Sequence, residues 1–358
     1  MFKNLLEPIK LGGKISLSNR VWMAPLTRCR AVDNHNPNAL MVEYYAQRAS
    51  AGLIICEATA VMENQSAFWT EPGIYSKAQV AGWKAVTDAV HKKGGKIFLQ
   101  IWHGGRACHP LMNNGAIPVA PSAIAITNNE IRTPTGKAPY VMPRALETSE
   151  IKGIVEGFRL GAQNAKDAGF DGVEVHGANG YLIDAFLRDS ANQRKDIYGG
   201  TVENRARFLF EVLDAVKSVF SPECIGLRLS PLNSYNSMID SDPVKTFTWV
   251  AEKLNSYQLG YLHIMRSDFM GLQKADIMQP IRDAYKGILV GNMGYTAEEA
   301  NIAISEKKLD AVAFGVPFIS NPDLPERFAS GAALNAPDQS TFYTQGKEGY
   351  TDYPFLKK

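Results

Sequence analysis

Short apolar runs rich in β-branched residues alternate along the chain with longer stretches of helical period. The runs are VWMAP (21–25), LIICEAT (53–59), KIFLQIWH (96–103), GVEVHG (172–177), CIGLRLS (224–230), YLHIMR (261–266), GILVGN (287–292) and DAVAFGV (310–316). Between them lie amphipathic segments such as NALMVEYYAQRASA, SKAQVAGWKAVTDAVHKKG, TSEIKGIVEGFRLGAQNAKDAG, VENRARFLFEVLDAVKSVF and TAEEANIAISEKK. Several of these open on a Ser, Thr or Asp that can cap a helix and close on Gly. Strands buried on both faces and separated by helices form a parallel sheet, and eight such units in one series predict an α/β protein of the (β/α)8 TIM-barrel type. An open doubly wound sheet is the weaker reading, because APLTRCRAVDNHNPN after the first strand holds no glycine and therefore no dinucleotide fingerprint.

Three segments stand outside the repeat. IKLGGKISLSN reads as an N-terminal hairpin around Gly12 and Gly13 that plugs one end of the barrel. Residues 104–147 are too long for a strand-to-helix loop and rich in Pro, Asn and Gly, which predicts a capping excursion after the third strand. Residues 335–358 form a C-terminal tail over the active site, and residues 1–358 read as a single barrel domain.

Composition narrows the class. With 45% hydrophobic and 21% charged residues the chain is an ordinary globular protein. Its formal charge of +2 and lack of a basic run exclude nucleic acid and anionic membrane surfaces as expected partners. No stretch approaches the ~18 consecutive apolar residues of a membrane span, and the first residues lack a secretory apolar centre, so a cytoplasmic location is expected. Cys29, Cys56, Cys108 and Cys224 are far apart with no metal or redox spacing, so four reduced thiols and no metal site are expected.

In such a barrel the working groups stand at the carboxyl ends of the strands. The first run ends in Pro25, Leu26 and Thr27; the third carries Gln100, Trp102 and His103; the fourth ends at His176; the fifth contains Arg228. An unpaired buried guanidinium costs several kcal/mol, so Arg228 either faces an anion in the barrel mouth or sits in a structural salt bridge. Gly291, Gly294 and Gly315 follow the last two strands, where free backbone N–H groups and helix starts bind phosphate; otherwise they only shape tight turns. Asn179 and Tyr181 follow His176 within one turn, which serves either as a capped strand-to-helix turn or as a set of donors toward a substrate.

The ordered motifs NRVWMAPLTR, LQIWHGGR, GFDGVEVHGANGYLIDAFL, YGGTVENRARF, GLRLSP, NPDL and GYTDYP resemble those of the Old Yellow Enzyme family, the FMN-dependent ene-reductases, nearly end to end. The resemblance implies non-covalent FMN as cofactor and NADPH or NADH as reductant. It implies cofactor contacts at Ala24, Pro25, Leu26, Thr27, Ala58, Gln100 and Arg228, and a phosphate cradle at Met293, Gly294, Gly315 and Val316. Many relatives carry Arg where this chain has Val316, so one charge-assisted phosphate contact is missing unless another side chain replaces it. The family pattern makes His176 and Asn179 donors to a substrate carbonyl and Tyr181 the proton donor. Phe68, Trp69, Trp102 and Tyr353 would line the substrate pocket. Thr27 stands where some relatives place a Cys, which leaves Cys29 without a role.

On this resemblance the chain is an NADPH dehydrogenase that reduces the C=C bond of α,β-unsaturated carbonyls, with quinones, nitro compounds or prostanoid endoperoxides as further small-molecule substrates, acting as a monomer or homodimer. Two rival readings remain at this level. One is a flavin-free aldolase or isomerase acting on a phosphorylated substrate, weakened because no lysine ends a strand and no paired carboxylates stand out. The other is a flavin carrier without catalysis.

Overall fold

The computed structural model describes residues 2–357. All eight apolar runs become parallel strands: β1 (Val21–Met23), β2 (Ile54–Ile55), β3 (Ile97–Trp102), β4 (Gly172–Gly177), β5 (Ile225–Leu229), β6 (Tyr261–Met265), β7 (Leu289–Asn292) and β8 (Ala311–Phe314). They pair in chain order, β3 with β4 included, and the ring closes through β8 on β1. The second run was expected as one strand over 53–59. It breaks after Ile55 and resumes as Thr59–Ala60, because the Tyr45 hydroxyl takes the Glu57 N–H and removes it from the ladder.

Alternation along each strand divides the core in two. Residues such as Val173, Val175, Leu227 and Ile264 face outward against the helices. Trp22, Ile55, Phe98, Tyr261, Val290 and Ala313 face inward and fill the lower barrel, where Leu11 and Leu17 of the N-terminal hairpin (Ile9–Leu11 with Ile15–Leu17) close the end. The helices begin where the sequence supplies caps. α1 (Ala39–Gln47) starts at Asn38, α2 (Lys77–Lys92) at a Ser76/Gln79 capping box, and α3 (Thr148–Asp167) at Glu147. α4 (Val202–Lys217) starts at Thr201, α5 (Pro243–Leu254) at Asp242, and α6 (Ala297–Ser305) at a Thr296/Glu299 box.

Gly226 of β5 allows an inward residue of β6 to cross the barrel. A Cβ there would lie 2.1 Å from the Tyr261 ring carbon that bears the hydroxyl. Gly226→Ala is therefore expected to cost about 1–3 kcal/mol by overpacking, read as a lower urea midpoint at unchanged slope.

The excursion at 104–147 carries its own hairpin (Glu130–Thr133 with Gly136–Pro139), and Val119–Ala120 pairs with Arg144–Ala145. Arg106 ties its base to the segment beyond β5 through the Ile124 and Asn236 carbonyls, at 3.1 and 2.9 Å. The tail is fastened by buried arginines from the other end of the chain. Arg28 donates to Phe342 O and Gly349 O, and Arg30 to Thr341 O and Glu348 O. Tyr350 stacks on Tyr44 with ring centroids 4.0 Å apart. Among the described residues no helix is long and apolar enough to cross a membrane.

Candidate active site

Above the plugged half, the barrel mouth opens into a cavity of about 680 Å³. The residues expected at a cofactor, Ala24, Pro25, Leu26, Thr27, Ala58, Gln100, Arg228, Met293, Gly294, Gly315 and Val316, all line it, together with Phe68, His176, Asn179 and Tyr181. The sequence thus placed fifteen residues from seven strand ends around one space.

The floor is a polar network inside the barrel, where four neighbouring strands present side chains at matching heights. Glu174 of β4 lies opposite Gln100 of β3, and His176 lies opposite Arg228, which in turn faces His263. Glu174 is fully buried and accepts from Gln100 Nε2 at 2.8 Å and His263 Nδ1 at 2.9 Å. Because the Gln100 amino group is taken, its Oε1 is the atom free to accept from a ligand. Arg228 donates through Nη2 to Asn292 Oδ1 at 2.8 Å, and Asn292 Nδ2 donates to Ala313 O at 2.7 Å. The Arg228 Nε–H is buried with no partner among the described residues. A cation with an unused donor at the rim of a cavity fits an anionic or carbonyl-bearing ring edge, such as the pyrimidine end of a flavin. The salt-bridge alternative for Arg228 does not arise, since its bonded partner is the neutral Asn292.

At the other end of the cavity, Met293 and Gly294 follow β7 in left-handed backbone, φ 86° and 70°. The N–H groups of Met293, Gly294 and Val316 find no acceptor among the described residues. Free N–H groups from two neighbouring strand ends suit a phosphate. Flavin ring and phosphate requirements are thus both met by residues present.

The turn after β4 is fixed by its own side chains. Ala178 N–H donates to His176 Nδ1 at 3.2 Å, so a neutral imidazole carries its proton on Nε2. Burial and the neighbouring Arg228 push the His176 pKa well below its usual value, which keeps the ring neutral. Asn179 sits at φ 58°, and Gly180 follows at φ 75° where a Cβ would come within 2.7 Å of Asn236 and Met238. Asn179 N–H donates to Ser230 Oγ, while its Oδ1 accepts from Asn233 Nδ2 at 2.7 Å, leaving its Nδ2 as the free donor. Asp184 holds the Gly180 N–H at 2.8 Å and pairs with Arg188, both side chains fully buried. Tyr181, 6% exposed, packs edge-on against Trp102 and His176 with centroids at 4.3 and 5.1 Å. Burial raises its phenol pKa well above 10. The backbone groups of the turn are satisfied locally, and His176 Nε2, Asn179 Nδ2 and the Tyr181 hydroxyl are not engaged by it.

Three expected pocket residues lie elsewhere. Trp102 is fully buried behind Tyr181 and His176, because its strand position points it into the barrel under them, so it backs the wall without lining it. Trp69 is 56% exposed and outside the cavity. Tyr353 is also outside; its hydroxyl accepts the Asp338 N–H at 2.8 Å and braces the tail. The aromatic wall is made instead by Phe342, Tyr343, Tyr235 and Phe269. Cys29 is buried at φ 56°, and burial pushes its thiol up to about 12, so it stays protonated.

The sequence model of the NADH:flavin oxidoreductase / NADH oxidase family matches residues 4–335. The chain is 50% identical over 358 residues to a probable flavin mononucleotide-dependent alkene reductase of Leishmania infantum, covering 98% of this chain and 97% of that protein. The chain belongs to the Old Yellow Enzyme family. A solved old yellow enzyme from Trypanosoma cruzi superposes with TM-score 0.96 at 43% identity, covering 99% of this chain and 100% of that one. Morphinone reductase, solved in complex with tetrahydroNAD, gives TM-score 0.94 at 48% identity, covering 99% and 98%. As a member of the Old Yellow Enzyme family the protein is an FMN-dependent oxidoreductase that uses a nicotinamide reductant. The flavin-free aldolase and the non-catalytic carrier are not favoured.

Proposed function

We propose that the cavity reduces the C=C bond of α,β-unsaturated carbonyls, and takes quinones, nitro compounds or prostanoid endoperoxides as further oxidants. Two N–H donors of settled direction, His176 Nε2 and Asn179 Nδ2, on one short arc with a protonated phenol carry this reading. Ala24, Pro25, Leu26, Thr27 and Ala58 would hold the flavin ring with Gln100 and Arg228, and the turns at Met293, Gly294, Gly315 and Val316 its phosphate. FMN, when bound, supplies a hydride taken from NADPH or NADH.

The chain's own residues do the rest. His176 and Asn179 polarise the substrate carbonyl and meet the negative charge that grows on its oxygen as the β carbon is reduced. Tyr181 gives its proton to the α carbon, which is more basic than a phenolate. Phe68, Tyr235, Phe269 and Tyr343 offer aromatic faces suited to planar, conjugated substrates. The near-neutral charge and lack of basic runs support small-molecule partners, without nucleic acid or an anionic membrane surface, and we place the protein in the cytoplasm as a monomer or homodimer.

The test is anaerobic: NADPH should bleach the yellow holoenzyme, and 2-cyclohexenone should restore the colour. His176 titrates well below pH 6.5 and Tyr181 well above pH 10. Neither changes charge between, so the rate of colour return is expected to stay flat from pH 7 to 9. A bleached protein that no enone reoxidises would defeat the proposal, and a sigmoidal change within that window would show that a group titrating between pH 7 and 9 controls the step.

A further inference from the structure

Among the described residues, no charged side chain lines the phosphate end of the cavity. Its lining is Met293, Gly294, Tyr295, Gly315, Val316 and Pro317, and the only cations lining the cavity among the described residues are Arg28, committed to the tail, and Arg228 on the floor. Val316 is 43% exposed and offers no donor beyond its backbone. One layer behind, Arg266 follows directly on β6. Its Nε donates to Met293 O at 2.8 Å and its Nη2 to Gly294 O at 3.0 Å, so one guanidinium spans two successive carbonyls of the cradle turn. The same group lies over the Tyr295 ring, 3.8 Å from its centroid, and its outer edge reaches Glu299 of α6 at 3.1 and 3.3 Å.

We infer that Arg266 is a positioning residue for the cofactor phosphate, bracing from behind the turn that Val316 leaves without a cation in front. Met293 is a non-glycine residue at φ 86°, a conformation that persists only where its surroundings impose it. The two carbonyls held by Arg266 fix the turn in that shape, and the same two peptide units carry the N–H groups of Gly294 and Tyr295, which find no acceptor among the described residues. The ion pair with Glu299 is half exposed and screened, so its electrostatic pull is small. The forked geometry of the guanidinium, which a lysine ammonium does not reproduce, is the operative feature.

The inference rests on the placement of the phosphate at these turns, and the experiment separates the two. Flavin-free full-length protein is titrated with FMN and with riboflavin, which differ only in the phosphate. For Arg266→Gln and Arg266→Lys alike, the FMN Kd is expected to rise about tenfold, the loss of one to two oriented hydrogen bonds, with the riboflavin Kd within twofold of the parent. Val316→Asp puts a carboxylate at the cradle itself and should weaken FMN selectively whatever Arg266 does. If Val316→Asp acts selectively while either Arg266 variant keeps parental FMN affinity, the brace is overturned and the phosphate placement stands. If Val316→Asp leaves the FMN to riboflavin ratio unchanged, the placement falls and the brace with it. Parallel loss of both flavins in the Arg266 variants would mark a merely structural arginine and overturn the inference.

Discussion

Replacing Tyr181 with phenylalanine is expected to slow alkene reduction by ~10²-fold or more while NADPH reduction of the flavin stays near the parental rate. The ring is held from two sides by Trp102 and His176, contacts that do not involve the hydroxyl, so the variant keeps its shape and loses only the proton. Burial raises the phenol pKa well above 10, which keeps Tyr181 protonated at every pH where the enzyme is assayed. That same shift makes the phenol a weak acid, useful only toward a strongly basic carbon, as the α carbon becomes once hydride has reached the β carbon. Taking hydride from the nicotinamide needs no such proton, and the two half-reactions should therefore part company. Stopped-flow measurement of each half-reaction under anaerobic conditions checks this. Equal alkene rates in variant and parent would remove Tyr181 from the chemistry, and an equal slowing of both halves would assign it a packing role.

The barrel and most of its mouth were legible because both depend on local signals. Short β-branched apolar runs between helical stretches placed all eight strands, and the polar residues in or at the end of those runs, where side chains alternate inward and outward, placed Gln100, His176 and Arg228. The same alternation, carried one step further, points to Glu174 two positions before His176 and to His263 inside YLHIM; a charged or imidazole side chain on the inward face of an apolar strand was the available signal. Trp102 obeyed the alternation but not the inference drawn from it, since facing inward put it beneath the cavity wall. The tail was illegible for a different reason. Phe342 and Tyr343 reach the cavity because Arg28 and Arg30 capture carbonyls more than 310 residues away, and nothing in a short window of sequence encodes such pairings. Tyr353 of GYTDYP was the tail residue expected in the pocket, yet it serves as an anchor, as Tyr350 of the same motif does.

Glu174 carries the second large effect. Its carboxylate sits at the centre of the barrel with no solvent contact and accepts from Gln100 and His263, two donors on different strands. Burial pushes the His263 pKa down, against the pull of Glu174, so the ring is neutral with Nδ1–H directed at the carboxylate, and its Nε2 has no partner. In Glu174→Ala both donors would be stranded in a dry interior beside a new void, each costing its full desolvation. Leaving two buried neutral donors unsatisfied is expected to destabilise the fold by about 2–6 kcal/mol, read as a lower urea midpoint. The variant should also hold FMN more weakly, because Gln100 loses the bond that turns its Oε1 toward the cavity. Glu174→Gln preserves an acceptor for one of the two donors and should fall between parent and alanine in both measurements. A Glu174→Ala protein with parental midpoint and parental FMN affinity would show that the floor of the site is organised by packing alone, and that the direction of the Gln100 amide is set by something other than the carboxylate beneath it.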